Sequence, residues 1–491
     1  MTTSPLPEKI IIAGAGFAGR SLKSEIGAKF PNSEVVSFLD DDPGLIGTLI
    51  DGIPVKGPMS EAFRSKLEAD QVIIAIPSAT RGQLRKIFHF LRRHKIDEIK
   101  ILPGISQILD GEAHLIMTRE LNPLDLLGRN PVHISLKKSL NYLSGKRVLI
   151  TGAGGSIGSE LSRQLLSGGA SRLYLLGHGE NSIVSIHREI LGLQREGVGK
   201  DAAVVPIIGD IKDQEYTRFL LKRLKADVIF HCAAHKHVHL MEENSVETIH
   251  NNLYGTCSLL NAAKASGVRR FVLISTDKAV SPTSIYGVSK KLSEEVVLSE
   301  NQEGLDFMVV RFGNVLGSRG SILPLFKKQI ENGGPLTLTH PDATRFFMTI
   351  PEASSLVLQA AGVGSGGELY VLDMGTPLKI QDIAQQMIEF YAPGQKDDFP
   401  MKVIGLRAGE KLHEDLWEQD EEPVPTDFPR INRLIRPVKP STDLPSLIKE
   451  LKPIVTLQEG QESLYRNRRE LRKILRREFP SLLEKDDEQE Y

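Results

Sequence analysis

The sequence predicts an α/β protein whose two domains each carry a parallel sheet, and three observations predict it. Lys9-Ile-Ile-Ile-Ala13 is a short apolar run that leads into Gly14-Ala-Gly16-Phe-Ala-Gly19. Lys146-Arg-Val-Leu-Ile150 is a second such run, leading into Thr151-Gly152-Ala-Gly154-Gly155-Ser156-Ile157-Gly158. Beyond the second, strand-length and helix-length stretches alternate. A buried strand that passes through a glycine turn into a helix opens a dinucleotide-binding βαβ unit. Two such openings, far apart in the chain, argue for two Rossmann-like domains.

The first domain is expected over residues 1–102. Its further strands are Val35–Leu39, followed by Asp40-Asp41-Asp42, then Gln71–Ile76 and Ile99–Leu102. From Pro103 to Ser144 periodicity weakens, and Asp125-Leu-Leu-Gly-Arg129-Asn-Pro131 is rich in breakers, which reads as an ordered linker. The second domain, 145–435, has strands expected at Leu173–Leu176, Val204–Ile208, Val228–Cys232, Phe271–Ser275 and Phe307–Phe312. This alternation predicts a doubly wound parallel sheet with right-handed crossovers. After Gly313 the pattern is mixed, with one strand at Leu369–Leu372, and a small C-terminal substrate-binding subdomain is expected there. Residues 436–491 read as a charged helical tail, a surface helix with a frayed acidic end.

Composition excludes several classes. The 491 residues are 40% hydrophobic and 25% charged, so sizeable cores form without disulfides or metals. A formal net charge of −1 gives no field towards nucleic acid or an anionic membrane. Cys232 and Cys257 make no framework and no Cys-x-x-Cys pair, which fits a reducing cytoplasm. The N-terminal MTTSPLPEK lacks a basic region followed by an apolar one, and no apolar run approaches the roughly 18–20 residues of a membrane helix. A cytoplasmic protein without nucleic-acid or membrane partners is the expectation.

The second glycine turn has the spacing of short-chain dehydrogenases. Gly152 permits the tight turn, Gly155 lets backbone amides with Ser156 and Ile157 approach a pyrophosphate, and Gly158 seats the helix against the sheet. The following strand ends Gly177-His178-Gly179-Glu180, where an NAD site usually places an acid on the ribose. Glycine at 177 leaves room for a 2′-phosphate beside His178, so NADP is favoured over NAD, although Glu180 can reach back. Asp210 with Ile211 follows the next strand and meets either the adenine edge or a helix N-terminus as its cap.

Tyr286-Gly-Val-Ser-Lys290 places a phenol and an amine four apart, on one face of a helix. The Lys290 ammonium is expected to lower the Tyr286 pKa, so that phenolate takes a sugar hydroxyl proton. Just upstream, Ser275-Thr276-Asp277-Lys278 ends a strand, and in open α/β sheets strand C-termini line the ligand crevice.

At this point the chain resembles the extended short-chain dehydrogenases that act on nucleotide sugars, and within them the CapD-type polysaccharide biosynthesis family of UDP-N-acetylglucosamine 4,6-dehydratases. The residues that carry the resemblance are TGAGGSIG (151–158), HCAAHKHVHLMEEN (231–244), STDKAVSPTSIYGVSK (275–290), RFGNVLGSRGS (311–321), HPDATRFFMTIPEA (340–353) and RAGEKLHEDL (407–416). Long members carry an N-terminal Rossmann-like domain, usually after a membrane-helix bundle that this sequence lacks. The resemblance implies C4 oxidation of a UDP-sugar, loss of water across C5 and C6, and hydride return to C6. It implies that Lys278 is the C5 base, which requires a neutral amine, that Asp277 is the acid for the C6 hydroxyl, and that Thr276 bonds near O4. It also implies a homo-oligomer.

Asn314, Arg345 and Arg407 are expected on the substrate's diphosphate or nucleoside, with Glu410 orienting Arg407. Lys236 follows Ala233-Ala234, the strand end that faces nicotinamide and substrate. His231, His235, His237 and His239 suggest a metal cluster at first sight, but they straddle a strand end and a loop without a cysteine motif, and no metal is expected. The first domain's turn with Asp40 fits dinucleotide binding on paper yet has no Tyr-x-x-x-Lys. It is a regulatory nucleotide site or a degenerate structural domain. Two rivals to the dehydratase are a nucleotide-sugar 4-epimerase and a non-catalytic dinucleotide sensor.

Overall fold

The computed structural model describes residues 8–60, 62–96, 98–102, 118–121, 140–300, 302, 304–392, 394–395, 398–436 and 443–485. The chain forms two compact units, Met1–Ser135 and Leu136–Tyr491.

The first unit carries strands β1 (Lys9–Ala13), β2 (Glu34–Leu39), β3 (Leu49–Ile50), β4 (Ile53–Lys56), β5 (Gln71–Ile74), β6 (Ile99–Ile101) and β7 (Arg119–Glu120). They order as β3-β4-β2-β1-β5-β6-β7, parallel in the middle, with β3 and β7 antiparallel at the edges. Ile10, Ile12 and Phe38 are fully buried against Leu22 and Ile26 of helix Phe17–Lys29. Helix Arg81–Arg93 starts at a capping box in which Thr80 and Gln83 satisfy each other's backbone amides.

The second unit carries β8 (Arg147–Thr151), β9 (Arg172–Gly177), β10 (Ala203–Ile208), β11 (Val228–His231), β12 (Arg270–Thr276) and β13 (Asp306–Phe312). The smaller strands are β14 (Asn314–Leu316), β15 (Leu336–Leu338), β16 (Thr344–Arg345), β17 (Phe347–Thr349), β18 (Leu369–Leu372), β19 (Leu378–Lys379), β20 (Met401–Val403), β21 (Glu422–Pro425) and β22 (Ile431–Ile435). The main sheet runs β10-β9-β8-β11-β12-β13-β18-β22-β21, parallel from β10 to β18. The chain winds outward from β8 to β10, then restarts on the other side at β11. Right-handed crossovers in opposite directions put helices on opposite faces. Helices Ser156–Ser167, Glu180–Arg195 and Ile350–Val363 accordingly pack as one group, and Gln214–Leu224, Gly255–Ala265 and Ile285–Ser299 as another. Phe230, Phe271 and Phe307 lie fully buried between them, each contributing about 1.5–3 kcal/mol. The switch point between β8 and β11 leaves a crevice at their C-terminal ends. Three two-stranded sheets, β14 with β17, β15 with β20 and β16 with β19, build the mixed region that flanks it.

Three boundaries differ from the sequence reading. The expected linker falls largely outside the described residues, but β7 extends the first sheet past residue 102. Leu140 and Leu143 are already buried in the second unit, where the Tyr142 hydroxyl bonds Leu358 O at 3.0 Å. The tail is no surface appendage over its described part. Helices Leu444–Val455 and Arg468–Glu478 bury Leu447, Leu451, Leu471 and Leu475, and both dock on helix Ser245–Ile249. The high charge hid an apolar stripe at helical spacing. The acidic end beyond Lys485 lies outside the described residues. Among the described residues, no helix is long and apolar enough to cross a membrane.

Candidate active site

One cavity of about 1180 Å³ opens at the switch point of the second unit. Its lining includes the glycine turn (Gly152, Gly155, Ser156, Ile157, Gly158), Thr276, Lys278, Tyr286 and Lys290, and also Asn314, Arg345, Arg407 and Glu410. Residues that lie far apart in the sequence thus share one chamber.

The turn is built for close approach. Gly152 has φ +63°, and a Cβ there would lie 2.7 Å from the Ala233 nitrogen, so the ends of β8 and β11 meet only because position 152 is glycine. Helix Ser156–Ser167 starts at Gly155 with no side-chain cap, and its first residues line the cavity. An uncapped helix start facing a cavity suits a pyrophosphate. Thr151 is held from beneath by buried His231, whose two ring nitrogens lie 2.7 Å from Thr151 Oγ1 and 2.9 Å from Thr256 Oγ1. Burial pushes this imidazole down to about 3, so it stays neutral. Ala234 lines the cavity with Lys236, whereas Ala233 does not line it and packs against Gly152. His178, Asp210 and Ile211 do not line it. His178 is exposed at the end of β9, and Ile211 is buried against Gly255. Asp210 is not a helix cap: its Oδ1 accepts the Lys212 amide at 2.9 Å, and Asp213 caps helix Gln214–Leu224.

The chemistry-bearing side chains come together at the end of β12. Asp277 is fully buried. Its Oδ1 accepts from Thr276 Oγ1 and from Lys278 Nζ, each at 2.8 Å. Asp277 Oδ2 is buried and has no hydrogen-bond partner among the described residues. Burial raises the Tyr286 phenol, and Lys278 and Thr276 both pull it back, so Tyr286 belongs to the same electrostatic group as Thr276, Asp277 and Lys278. Helix Ile285–Ser299 can bring Tyr286 this close because position 287 is glycine: a Cβ there would lie 2.3 Å from the Lys278 carbonyl oxygen.

Electrostatics reverse two expectations. Lys278 is not tuned towards the neutral amine. Burial pulls its pKa down, but the carboxylates of Asp277 and Glu414, at 2.8 and 3.5 Å, outweigh burial and raise it. Burial depresses Lys290 instead, to about 8, and also lowers Lys236. Nor does Lys290 tune the phenol, since its Nζ donates to Ile274 O at 2.7 Å. Burial raises Tyr286 to about 12, and Lys278 is the cation that pulls it back.

The substrate anchors are also rearranged. Asn314 Oδ1 accepts from Lys278 Nζ at 2.9 Å, which puts Asn314 beside the acid–amine pair. The Arg345 guanidinium spends both terminal nitrogens on the protein: Nη1 donates to Thr344 O and Leu412 O, and Nη2 to Glu410 Oε1 and Lys411 O. It shapes the 410–414 segment and has little left for a diphosphate. Glu410 accepts the backbone amide of Arg407 at 3.2 Å, not its side chain. Arg407 is exposed at the cavity wall, as is Lys236.

Glu414 was missed. It is buried in the cavity wall, burial raises its pKa, and its Oε2 has no hydrogen-bond partner among the described residues. The segment around it belongs to no helix or strand, so no periodicity could flag it. Arg311 was missed as well: fully buried, it bonds Glu294 of the tyrosine helix and Glu421, and Glu294 in turn holds Ser275. The four histidines do not converge. His231 sits under the turn, His237 lies against Gly320, and His235 lies 3.6 Å from Glu247. Among the described residues no group of three or more His, Cys, Asp or Glu side chains can hold a metal ion.

Comparison with known proteins agrees with this geometry. Residues 148–436 match the family model described as polysaccharide biosynthesis protein. The chain is 41% identical over 428 residues to the probable polysaccharide biosynthesis protein EpsC of Bacillus subtilis, covering 86% of this chain and 71% of that one. It is 32% identical over 291 residues to a UDP-N-acetylglucosamine 4,6-dehydratase (inverting) of Campylobacter jejuni, covering 58% of this chain and 81% of that one. Among solved structures, Pen from Bacillus thuringiensis superposes with a TM-score of 0.55 at 31% identity, covering 60% of this chain and 91% of that one. The chain belongs to the polysaccharide biosynthesis protein family.

Proposed function

We propose that the second unit is a nicotinamide-dependent nucleotide-sugar 4,6-dehydratase, with UDP-N-acetylglucosamine as substrate and a UDP-4-keto-6-deoxy sugar as product. The observation that carries this reading is the buried Asp277–Lys278 pair, bonded to Thr276 and set in the same cavity as Tyr286 and the glycine turn. A 4-epimerase needs a proton acceptor at O4 but no second acid and base. Similarity to a relative described as a UDP-N-acetylglucosamine 4,6-dehydratase supports the substrate.

The bound dinucleotide would supply a reversible hydride acceptor, and Gly152, Gly155, Ser156, Ile157, Gly158, Ala233, Ala234 and Lys290 are the residues that would hold it. The protein's own groups handle the protons. Tyr286, as phenolate, accepts the O4 proton and holds it until Asp277 has given its own proton to the leaving C6 hydroxyl; the O4 proton then replaces the one Asp277 lost. Asp277 and Lys278 share one proton in two arrangements. With the proton on Lys278 they are an ion pair, the arrangement the carboxylates favour. With it on Asp277 they are a neutral amine beside a carboxylic acid. Burial favours this uncharged form, which has the base for the C5 proton and the acid for the C6 hydroxyl. Asn314 orients the amine, and Arg407 with Lys236 faces the anionic end of the substrate. NADP is preferred to NAD because Gly177 leaves the ribose side of β9 without a carboxylate at that position.

The test is product analysis in deuterated water. Dehydration leaves solvent deuterium at C5 of a 4-keto-6-deoxy product, readable by NMR and mass spectrometry. A product that is only the 4-epimer, with no deuterium at C5, overturns the reading.

A further inference from the structure

We infer that the C-terminal helical pair, beyond the family's matched residues, is a positioning brace for the catalytic tyrosine, with Arg472 and Glu242 as its two working side chains. The family match ends at residue 436, and helix Arg468–Glu478 begins well past it. The inference rests on the functional reading only for the role of Tyr286.

The contacts run in one unbroken line. Arg472 is buried, and its Nη2 donates to Glu242 Oε2 at 2.7 Å. The other oxygen of that buried carboxylate, Oε1, accepts the backbone amide of Ile285 at 2.6 Å. Ile285 is the first residue of the helix that carries Tyr286 as its second. Ser284 caps the same turn by accepting the Gly287 amide at 3.1 Å. Two of the orphan amides of this helix start are therefore taken, one by a local hydroxyl and one by a carboxylate from another helix. A carboxylate suits the positive end of a helix, but buried it needs a countercharge, and Arg472 supplies it. Arg468 adds a bond from Nη2 to the Glu242 carbonyl at 3.2 Å.

The same C-terminal stretch grips the loop before the helix. Ser481 Oγ donates to Pro282 O at 2.9 Å, and Arg472 Nη1 donates to Leu483 O at 3.0 Å. Glu242 itself lies on helix Val238–Glu243, whose Val238, His239, Leu240 and Met241 line the cavity. The brace therefore ties one wall of the cavity to the first turn of the tyrosine helix. Neither Arg472 nor Glu242 lines the cavity, so both act through the backbone at 285.

The experiment uses the full chain and Arg472→Gln, with Arg472→Lys as rescue and the exposed Arg477→Gln as control. Hydrogen exchange of the 284–288 amides is measured first, because it needs no substrate. Arg472→Gln is expected to speed it more than about tenfold, since the change lowers the local opening free energy of that turn. Arg477→Gln is expected to leave it alone. In turnover of UDP-N-acetylglucosamine, kcat per cofactor-loaded site is expected to fall about 10–100-fold with KM within about twofold, the pattern of a misplaced reacting group. Arg472→Lys is expected to recover part of both. Unchanged exchange at 284–288 overturns the brace whatever the activity. Faster exchange with unchanged kcat per loaded site overturns the positioning role. A wild-type protein that makes no 4-keto sugar sinks the functional reading alone, and the exchange data still judge the brace. Should Arg472→Gln fail to fold, Glu242→Gln, which keeps an acceptor for Ile285 and drops the charge, is read by the same criteria.

Discussion

The two glycine turns of this chain begin alike and then use their backbone donors differently. In the first unit, Ala15 donates its amide to Asp40 Oδ2 at 2.7 Å, and Asp42 donates to Asp40 Oδ1 at 3.0 Å. The acid that would bind a ribose on paper is occupied with its own turn. In the second unit the corresponding strand end is Gly177, and the turn is buttressed from below by the neutral pair Thr151–His231. Its uncapped helix start lines a large cavity with a buried phenol, two lysines and two buried acids nearby. The second turn's corresponding amide, Ala153, is spent as well, on Leu176 O at 3.1 Å. A glycine pattern thus specifies a backbone path, and the side chains that surround the turn decide what it can serve.

The comparison breaks hardest at Lys278. Lys278→Ala removes the amine and leaves the turn intact. Deuterium exchange at C5 is expected to fall about 10²–10⁴-fold, the range for a positioned acid or base, while dinucleotide content stays unchanged. It also removes the cation that works against burial at the Tyr286 phenol and holds it at about 12, so any remaining O4 proton removal is expected to need a higher pH. Exchange retained at the wild-type rate would eliminate Lys278 as the base and move catalysis away from the second turn's cavity.

A smaller effect separates the turns directly. Gly152→Ala forces a positive φ on an alanine and sets its Cβ against Ala233. Strain of about 1–3 kcal/mol is expected to weaken dinucleotide binding by about tenfold or more, measured by titration of the purified protein. At Gly16 an added Cβ meets nothing within 4 Å, and φ is an ordinary −75°. Gly16→Ala is therefore expected to leave both binding and turnover alone. Loss of turnover in Gly16→Ala would mean that the first turn also serves the reaction.

Asp40→Asn probes the first turn in its own terms. It weakens two charge-assisted bonds within the turn, and about 1–2 kcal/mol of stability is expected to go with them. Denaturant unfolding of the first unit reads that loss, with kcat as the control. A fall in kcat that matches no loss of stability would assign the first turn a ligand.

How much of this was legible depended on what each residue does. The strands were readable because parallel strands buried on both faces are continuous apolar runs, and Leu369–Leu372 matches β18 at both ends. That Tyr286, Lys290, Thr276 and Lys278 share one cavity was readable because Tyr-x-x-x-Lys and the strand-end Asp-Lys are close in sequence. Their charge states were not. Burial pulls Lys278 down, and it is drawn up by its neighbour Asp277 and then by Glu414, which lies far along the chain in an irregular segment; burial and Glu414 are legible only in the fold. Arg345 and Asn314 were assigned to the substrate from residue type and their place in the blocks that carry the family resemblance, whereas the carbonyls that saturate Arg345 belong to a turn no pattern announces. The tail was misjudged because its charges dominate its composition, and buried Arg468 and Arg472 look on paper like solvated ones.

The smallest predicted effect lies at the end of β9, where the two turns differ by a single side chain. Gly177 leaves that site without the acid the first turn has in Asp40. Gly177→Asp is expected to restore it. The new Cβ would meet the tip of Ile183 at 3.0 Å, a flexible contact that can yield. A carboxylate there repels a 2′-phosphate and accepts a ribose hydroxyl, so the ratio of NADP to NAD affinity is expected to drop about tenfold, which corresponds to about 1.4 kcal/mol. Exposed His178 is expected to contribute less, and His178→Ala is expected to cost NADP about two- to threefold, with NAD unaffected. Wild-type protein that binds NAD at least as tightly as NADP would reverse this reading. Glu180, the first residue of helix Glu180–Arg195, would then be the carboxylate that reaches back to the ribose, and the two turns would be chemically closer than their strand ends suggest.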